Sequence, residues 1–520
     1  MKKNSSFIMF VLFSISLFPF LKIEFVPSII KRLIISSANT EQYKTSTNYE
    51  IFIRTNVDVN TDDECLSKHL YEIKNKNIYN QLNVDFEHNF TISKYSPFIS
   101  IITSNLDNNF IYKLKNNKNI MNYEIYDNLY KTSIINDNDF DLALSDNIET
   151  YSSSTGGIIK VGIMEDGIID RNSFNEDFSN TIVTKYYANS VVSNHKTVVA
   201  KILCNQYNNI EIYEANSKEG YLACYEWFLD NDVKVINRSE GFFTTNANGD
   251  YITLYDDYAK YFDYYVYTND IINVISAGNQ GNNHGYILQN AGTYNTVAVG
   301  ASTNGNIIAP YSSFEESFGS KPNIVSNHNV SFSNNLGTSW SAPKIAGDIS
   351  NLIANKLTSY DSPHLAQTIL YATAEYEKFV NNGFTSFSDD GMEEKFGAGE
   401  TNIIDALSLS SARYASGTIY SPYSATIFER SFTETDTFSL NLAFVQLKMV
   451  NMNLQDINFP NYSIKIKKGT TTILNASSNV QTKIIRLNNL NSGTYTVSIT
   501  YPGYQTNAWN SKWSVAYHTY

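Results

Sequence analysis

The sequence predicts an α/β core on a doubly wound, mostly parallel sheet, preceded by a small α+β unit and followed by an all-β sandwich. Three patterns carry this. Between residues 158 and 413, short apolar strands (IIKVGIM, VKVINRS, INVISAG, NTVAVGA) alternate with amphipathic stretches, as in a parallel sheet covered by helices on both faces. Within residues 39–135 the elements read β-α-β-β-α-β. Across residues 414–520, alternating strands such as NYSIKIKKG, TKIIRLN, GTYTVSITYPG and KWSVAYHTY are parted by Asn, Ser and Gly turns. At 520 residues the chain has room for three to four units of roughly 150 residues each.

Taken in order, the first element is an address. Lys2 and Lys3 precede the apolar run Phe7–Leu21, shorter than the roughly 20 residues of a spanning helix, so residues 1–38 read as a secretory signal or, left uncleaved, an N-terminal anchor. Export to the medium or to the extracellular face of the membrane is therefore expected. In the α+β unit the strand YEIFI at Tyr49–Ile53, a helix over 64–73, extended pieces over 92–102, a helix over 105–115 and a strand over 122–126 are expected. Residues 136–157 are rich in Asp, Asn and Ser and end in TGG, the composition of an exposed, cleavable linker.

Composition excludes some functions. The formal net charge of −13 repels phosphate backbones, so nucleic acid is not an expected partner. Cys65, Cys204 and Cys224 cannot complete a disulfide framework and form no CxxC pair. No cofactor is expected, no metal ligand set is legible, and a structural calcium site is not readable from this sequence.

The chemistry lies in the α/β segment. In GTSWSAP, Gly337–Pro343, a glycine allows a sharp turn and Ser339 opens a helix among small neighbours, which predicts an exposed, rigid hydroxyl. A serine needs a base to become a nucleophile. His195, in SNHKTVVAKIL, opens an amphipathic helix, whereas His69, His88 and His518 fall outside this segment and His284, His328 and His364 lack such a setting. A carboxylate must hold the imidazole in one tautomer, and KVGIMEDG offers Glu165 and Asp166 at a strand end. Asn279, after INVISAG, offers an amide donor for an oxyanion. Singly, each of these is commonly a turn or cap residue; their co-occurrence at strand ends carries the reading.

Acid, histidine, asparagine and serine in this order resemble the subtilisin-like (subtilase) serine peptidases. The resemblance spans about 158–413. VKVINRSEG looks like the family's substrate-edge strand, NTVAVGAST like the strand after the oxyanion asparagine, PYSSF and KPNIV like the stretch before the serine, and FGAGETNIIDAL like the closing helix. It implies a serine endopeptidase acting on protein or peptide substrates, with the 39–135 unit resembling an inhibitor-like propeptide. Substrate would add a strand along Ser239, Glu240 and Gly241, with Ala277 and Gly278 as the opposite wall. Two departures stand out. Strict register puts Glu165 where the family has aspartate, with Asp166 as the alternative, and Lys196 replaces the glycine that usually follows the histidine, where an ammonium close to the ring would disfavour imidazolium. Glu240 at the edge suggests a preference for basic side chains. The alternative reading is an inactive subtilase-like scaffold binding through its Tyr-rich sandwich at the surface. A cytoplasmic processing peptidase would require the apolar run to stay untranslocated.

Overall fold

The computed structural model describes residues 49–57, 64–82, 89–103, 106, 108–127, 131–132, 156–186, 191–245, 251–281, 286–303, 306–315, 319–327, 336–358, 361–420, 423–451, 454, 457–503 and 510–520. The expected signal or anchor at 1–38 and most of the expected linker lie outside them. Among the described residues no helix is long and apolar enough to cross a membrane.

The first unit runs β1 (Tyr49–Thr55), α1 (Glu64–Leu82), β2 (Asn89–Ile92), β3 (Phe98–Thr103), α2 (Asn108–Asn116), β4 (Ile120–Asp127), the order read from the sequence. Its antiparallel sheet has the order β2-β3-β1-β4. Strand alternation sends Ile51, Ile53, Ile99 and Ile101 toward Tyr71, Ile78, Phe110 and Leu114 of the two helices. The other face of β1 presents Glu50, Phe52 and Arg54, all buried. Phe52 stacks on Phe98 at 4.8 Å, and both rings pack edge-on against Tyr261 of the core. Glu50 accepts from Tyr221 N–H, and Arg54 pairs with Asp257 at 3.8 Å. That long, part-exposed pair is worth about 1 kcal/mol or less, whereas each buried phenyl contributes about 1.5–3 kcal/mol. Apolar packing therefore dominates the docking. α1 runs nine residues past the expected Ile73, to Leu82. Asn75, in the added length, is buried, where its side chain accepts from Thr55 Oγ1 and donates to Ser93 O and Ser96 O.

The core follows as β6 (Ile159–Glu165), β7 (Ile168–Ile169), α3 (Arg171–Phe178), β8 (Val183–Tyr186), β9 (Val192–Ser193), α4 (Asn194–Gln206), β10 (Ile210–Asn216), α5 (Tyr221–Asp230), β11 (Val235–Arg238) and β12 (Glu240–Gly241). A short hairpin of β13 (Thr244–Thr245) and β14 (Tyr251–Ile252) leads to α6 (Asp257–Asn269), β15 (Ile272–Ser276), β16 (Thr296–Thr303), β17 (Ile307–Ile308), β18 (Ile324–Asn327), α7 (Ser341–Asn355) and α8 (His364–Thr373). The sheet order is β17-β16-β15-β11-β6-β10-β8, with β18 on β16, and every pair but β16–β17 is parallel. Val161 and Ile163 of β6 pack with Val198 and Val199 of α4 and Ile345 and Ile349 of α7. Met164 packs on the other face with Tyr225 of α5 and Tyr261 of α6. By the same alternation Glu165 falls on the α4 face.

Among the described residues the C-terminal unit then has eight strands: β19 (Tyr414–Ile419), β20 (Ala425–Glu434), β21 (Phe438–Gln446), β22 (Tyr462–Lys468), β23 (Thr471–Ser478), β24 (Thr482–Leu490), β25 (Gly493–Tyr501) and β26 (Ser511–Thr519). They form two antiparallel sheets, β19-β26-β21-β24 and β20-β25-β22-β23, around Phe444, Tyr462, Val497 and Val515. Ala443 and Val445 of β21 alternate to the outer side and join the core around Ile369 of α8, which docks the sandwich on the α/β unit.

Candidate active site

The site forms where β6, β11 and β15 end. β7 pairs in parallel with β9, Ile168 against Val192 and Ile169 against Ser193, so the turn after Glu165 lies beside the start of α4. Ser193 caps α4 by accepting from Lys196 N–H at 3.2 Å, which puts His195 in the first turn. His195 Nδ1 lies 2.8 Å from Glu165 Oε2, and the Ser239 N–H donates to Glu165 Oε1 at 3.3 Å. Asp166, on the opposite face, pairs with Lys218 at 2.5 Å near the surface. The histidine thus meets Glu165, and the longer side chain spans the gap. Gly167 completes the turn at φ +75°, and a Cβ there would lie 2.6 Å from Val191 O, so glycine is required.

Ser339 lies just ahead of α7 and differs from expectation in being fully buried. The covering is local. Ser239 Oγ donates to Ser339 O and Ser339 Oγ donates to Ser239 O, each at 3.0 Å, and the next residue, Trp340, places its ring 5.0 Å from that of His195. Glu165, His195, Ser239 and Ser339 therefore form one linked group, with Ser239 as the bridge. His195 Nε2 is buried and makes no hydrogen bond among the described residues. The Ser339 hydroxyl is turned to a carbonyl rather than to the imidazole.

Asn279 follows β15 by way of Gly278, whose φ of +113° again demands glycine. Its Oδ1 accepts from Thr338 N–H at 2.9 Å and from Thr338 Oγ1 at 3.1 Å, which leaves Nδ2 as the donor end. Gly278 N–H in turn donates to Thr338 Oγ1 at 3.1 Å. The carbonyls of Ala277 and Gly278 are bonded to the N–H groups of Leu288 and Ser313, so this wall is rigid.

β12 carries the expected substrate edge. It is occupied: β5 (Lys131–Thr132) pairs with it antiparallel, Lys131 against Gly241 and Thr132 against Glu240. The Glu240 side chain does not face this edge, which corrects the expectation of a basic-side-chain contact. It is fully buried, accepts from Asp166 N–H at 2.9 Å, and its carboxyl is pushed up to about 7 by burial and by the neighbouring Glu165 charge. Lys196 also turns inward, and its Nζ donates to Gly167 O at 2.6 Å and Ala215 O at 2.9 Å, away from the ring it was expected to perturb. Burial lowers its pKa, opposed by Glu214, Glu165 and Glu240.

Sequence reasoning missed the bridging role of Ser239, the support of Asn279 by Thr338 and the Trp340 contact. The threonine and tryptophan flank the serine in GTSWSAP and could have been read from that string. Among the described histidines, His69 is exposed on α1 and His364 is buried in α8, its imidazole pushed down to about 4 by burial. Cys204 and Cys224 are buried, and burial pushes the Cys204 thiol up to about 12, which leaves it inert at neutral pH. No cluster of three metal-ligating side chains occurs among the described residues.

A model of the subtilase family, peptidase S8, matches residues 135–399, half of the chain. The chain belongs to the subtilase family. Membership supports serine-peptidase activity on peptide substrates. Solved structures that this subtilase resembles include the prenylagaramide maturation protease PagA, 19% identical, covering 48% of this chain and 92% of that one with a TM-score of 0.37. The psychrophilic subtilisin-like protease Apa1 from the Antarctic psychrotroph Pseudoalteromonas sp. AS-11 is 12% identical, with coverages of 48% and 92% and a TM-score of 0.35. Sphericase is 16% identical, with coverages of 49% and 94% and a TM-score of 0.35. No curated protein matches the chain.

Proposed function

We propose that this subtilase is a secreted or surface-anchored serine endopeptidase, made as a zymogen, that cleaves peptide bonds through an acyl-enzyme on Ser339. The observation that carries the reading is the Glu165–His195 hydrogen bond, joined through Ser239 to Ser339. In the proposed cycle the Ser339 hydroxyl rotates from Ser239 O to His195 Nε2, which takes its proton as Oγ attacks the substrate carbonyl. Glu165 accepts from the Nδ1–H and stabilises the imidazolium. Asn279 Nδ2 and the Ser339 N–H hold the tetrahedral oxyanion. His195 then protonates the leaving amine and activates water to release the acyl group.

The experiment is labelling with a fluorophosphonate probe after removal of the N-terminal unit. Modification of Ser339 is expected, and its absence would favour the second reading, an inactive subtilase-like surface binder. That second reading draws on Ser339 Oγ donating to Ser239 rather than to the imidazole.

Asn279→Ala is expected to lower turnover by about 10²- to 10³-fold, since the amide acts on the transition state. The two Thr338 contacts imply in addition a stability loss of about 1–3 kcal/mol, because a buried N–H is left unpaired. Asn279→Asp keeps those acceptors and removes the donor, so denaturant titration beside kcat separates the two effects.

The zymogen reading is supported by β5 lying on β12, where a substrate strand would add. Docking of the first unit should weaken as pH rises. Glu226 of α5 accepts from Ser93 Oγ of that unit, and burial pushes its carboxyl up to about 8 from an ordinary 4.5. A group raised in the docked state contributes fully below its undocked pKa and loses that contribution as pH climbs through the docked one. The adjoining Lys94–Asp230 pair, 2.5 Å apart, lies nearer the surface. The cleaved unit should therefore leave faster at about pH 9 than at about pH 6. Glu226→Gln should flatten that dependence; an equal pH dependence in both proteins would remove Glu226 from the account.

A further inference from the structure

The turn Glu165-Asp166-Gly167 is gripped by three other elements. Ser239 N–H, between β11 and β12, reaches Glu165 Oε1. Glu240 Oε2, from β12, accepts from Asp166 N–H at 2.9 Å. Lys196 Nζ, from α4, holds Gly167 O at 2.6 Å. Two of these grips come from adjacent residues, Ser239 just ahead of the edge strand and Glu240 within it. The backbone of Glu240 pairs outward with Thr132 while its side chain, fully buried, reaches inward to the turn. One residue therefore touches both the peptide strand on the edge and the turn that carries the histidine's carboxylate partner.

We propose that Glu240 is a positioning residue: it holds the Asp166 N–H, fixes the turn that aims Glu165 at His195, and sets a second carboxylate behind that pair. The inference rests on the triad reading of Glu165 and His195 but goes beyond it, because nothing in a Ser-His-acid set requires this contact. The charged and titratable groups around Glu240 are Glu165 on β6, Lys196 on α4, Arg238 on β11, and Tyr221 at the start of α5, with the Ser217 hydroxyl beside it. Glu214 on β10 reaches the same cluster through Lys196. The upward shift of the Glu240 carboxyl, caused by burial and then by Glu165, means that its charge appears within the working pH range of such an enzyme. When ionised it adds negative potential behind Glu165 and favours the imidazolium; when protonated it keeps the Asp166 contact and withdraws that potential.

The test compares wild type, Glu240→Gln and Glu240→Ala in the processed full enzyme. Gln keeps an acceptor for the Asp166 N–H and loses the charge; Ala loses both. The His195 titration is followed by NMR with labelled histidine, assigned by His195→Gln, so that it is read without reference to activity. In Glu240→Gln the His195 midpoint is expected to fall by about half a pH unit, and the acid limb of the kcat/KM profile should move with it. In Glu240→Ala kcat is expected to fall about 10- to 100-fold with KM little changed, as for a misaimed base. Partial recovery of kcat in Gln relative to Ala supports the positioning role. Histidine titration and kcat equal to wild type in both variants would overturn the inference, as would altered side-chain preference with an unmoved titration, which marks a substrate contact. A shifted titration in a protein that hydrolyses nothing would uphold the inference and sink the proposed function instead.

Discussion

Ser339→Ala is expected to lower peptide hydrolysis by about 10⁶-fold, the figure for loss of the serine in subtilisin, a member of the same family, carried over here. That ratio corresponds to about 8 kcal/mol of transition-state stabilisation. The structural cost should be far smaller. The hydroxyl is lost from one hydrogen bond to Ser239 O, worth about 0.5–1.5 kcal/mol, while the reverse bond from Ser239 Oγ to Ser339 O stays. A variant nearly as stable as wild type yet inert separates a nucleophile from a structural serine. Self-processing should stop as well, so the variant should accumulate at unprocessed length. Variant and wild type of identical size and comparable activity would remove Ser339 from the mechanism.

Glu165→Gln should cost about 10⁴-fold in kcat, the scale for an acid partner turned into its amide. Both carboxylate oxygens already act as acceptors, Oε2 toward His195 Nδ1 and Oε1 toward Ser239 N–H. Glutamine has a single acceptor oxygen, so its amide must confront one of the two donors. It either opposes the Ser239 N–H or drives His195 into the tautomer whose Nε2 carries the proton and cannot act as base. Asp166→Asn should change kcat by less than about 2-fold, since among the described residues that carboxylate pairs with Lys218 near the surface and not with His195. Steady-state kinetics on the two variants decides between the adjacent acids, and the opposite ranking would reverse the assignment.

Much of this site was legible because the informative features are local. The helix opening at His195, the glycine before Asn279 and the turn before Ser339 are short-range requirements of backbone geometry, written in HKTVVA, SAGN and GTSWSAP. Other readings went astray where a side chain had a choice of directions. Glu240 could face the edge or the interior, and burial beside the Asp166 N–H drew it inward. Lys196 could approach the imidazole or leave it, and two carbonyls claimed its ammonium. Ser339 was expected at the surface, but Trp340 and Ser239 close over it.

The order of elements, the α/β core between two flanking units, and the chemical types available at the strand ends were determined by the sequence itself, since periodicity and turn chemistry act over a few residues. Which acid meets His195, where the Ser339 hydroxyl points, and the pairing of Lys131–Thr132 with a strand more than one hundred residues downstream were decided only in the tertiary structure. Those outcomes depend on sheet parity, on competition for buried hydrogen-bond partners and on contacts between distant segments, none of which a local pattern encodes.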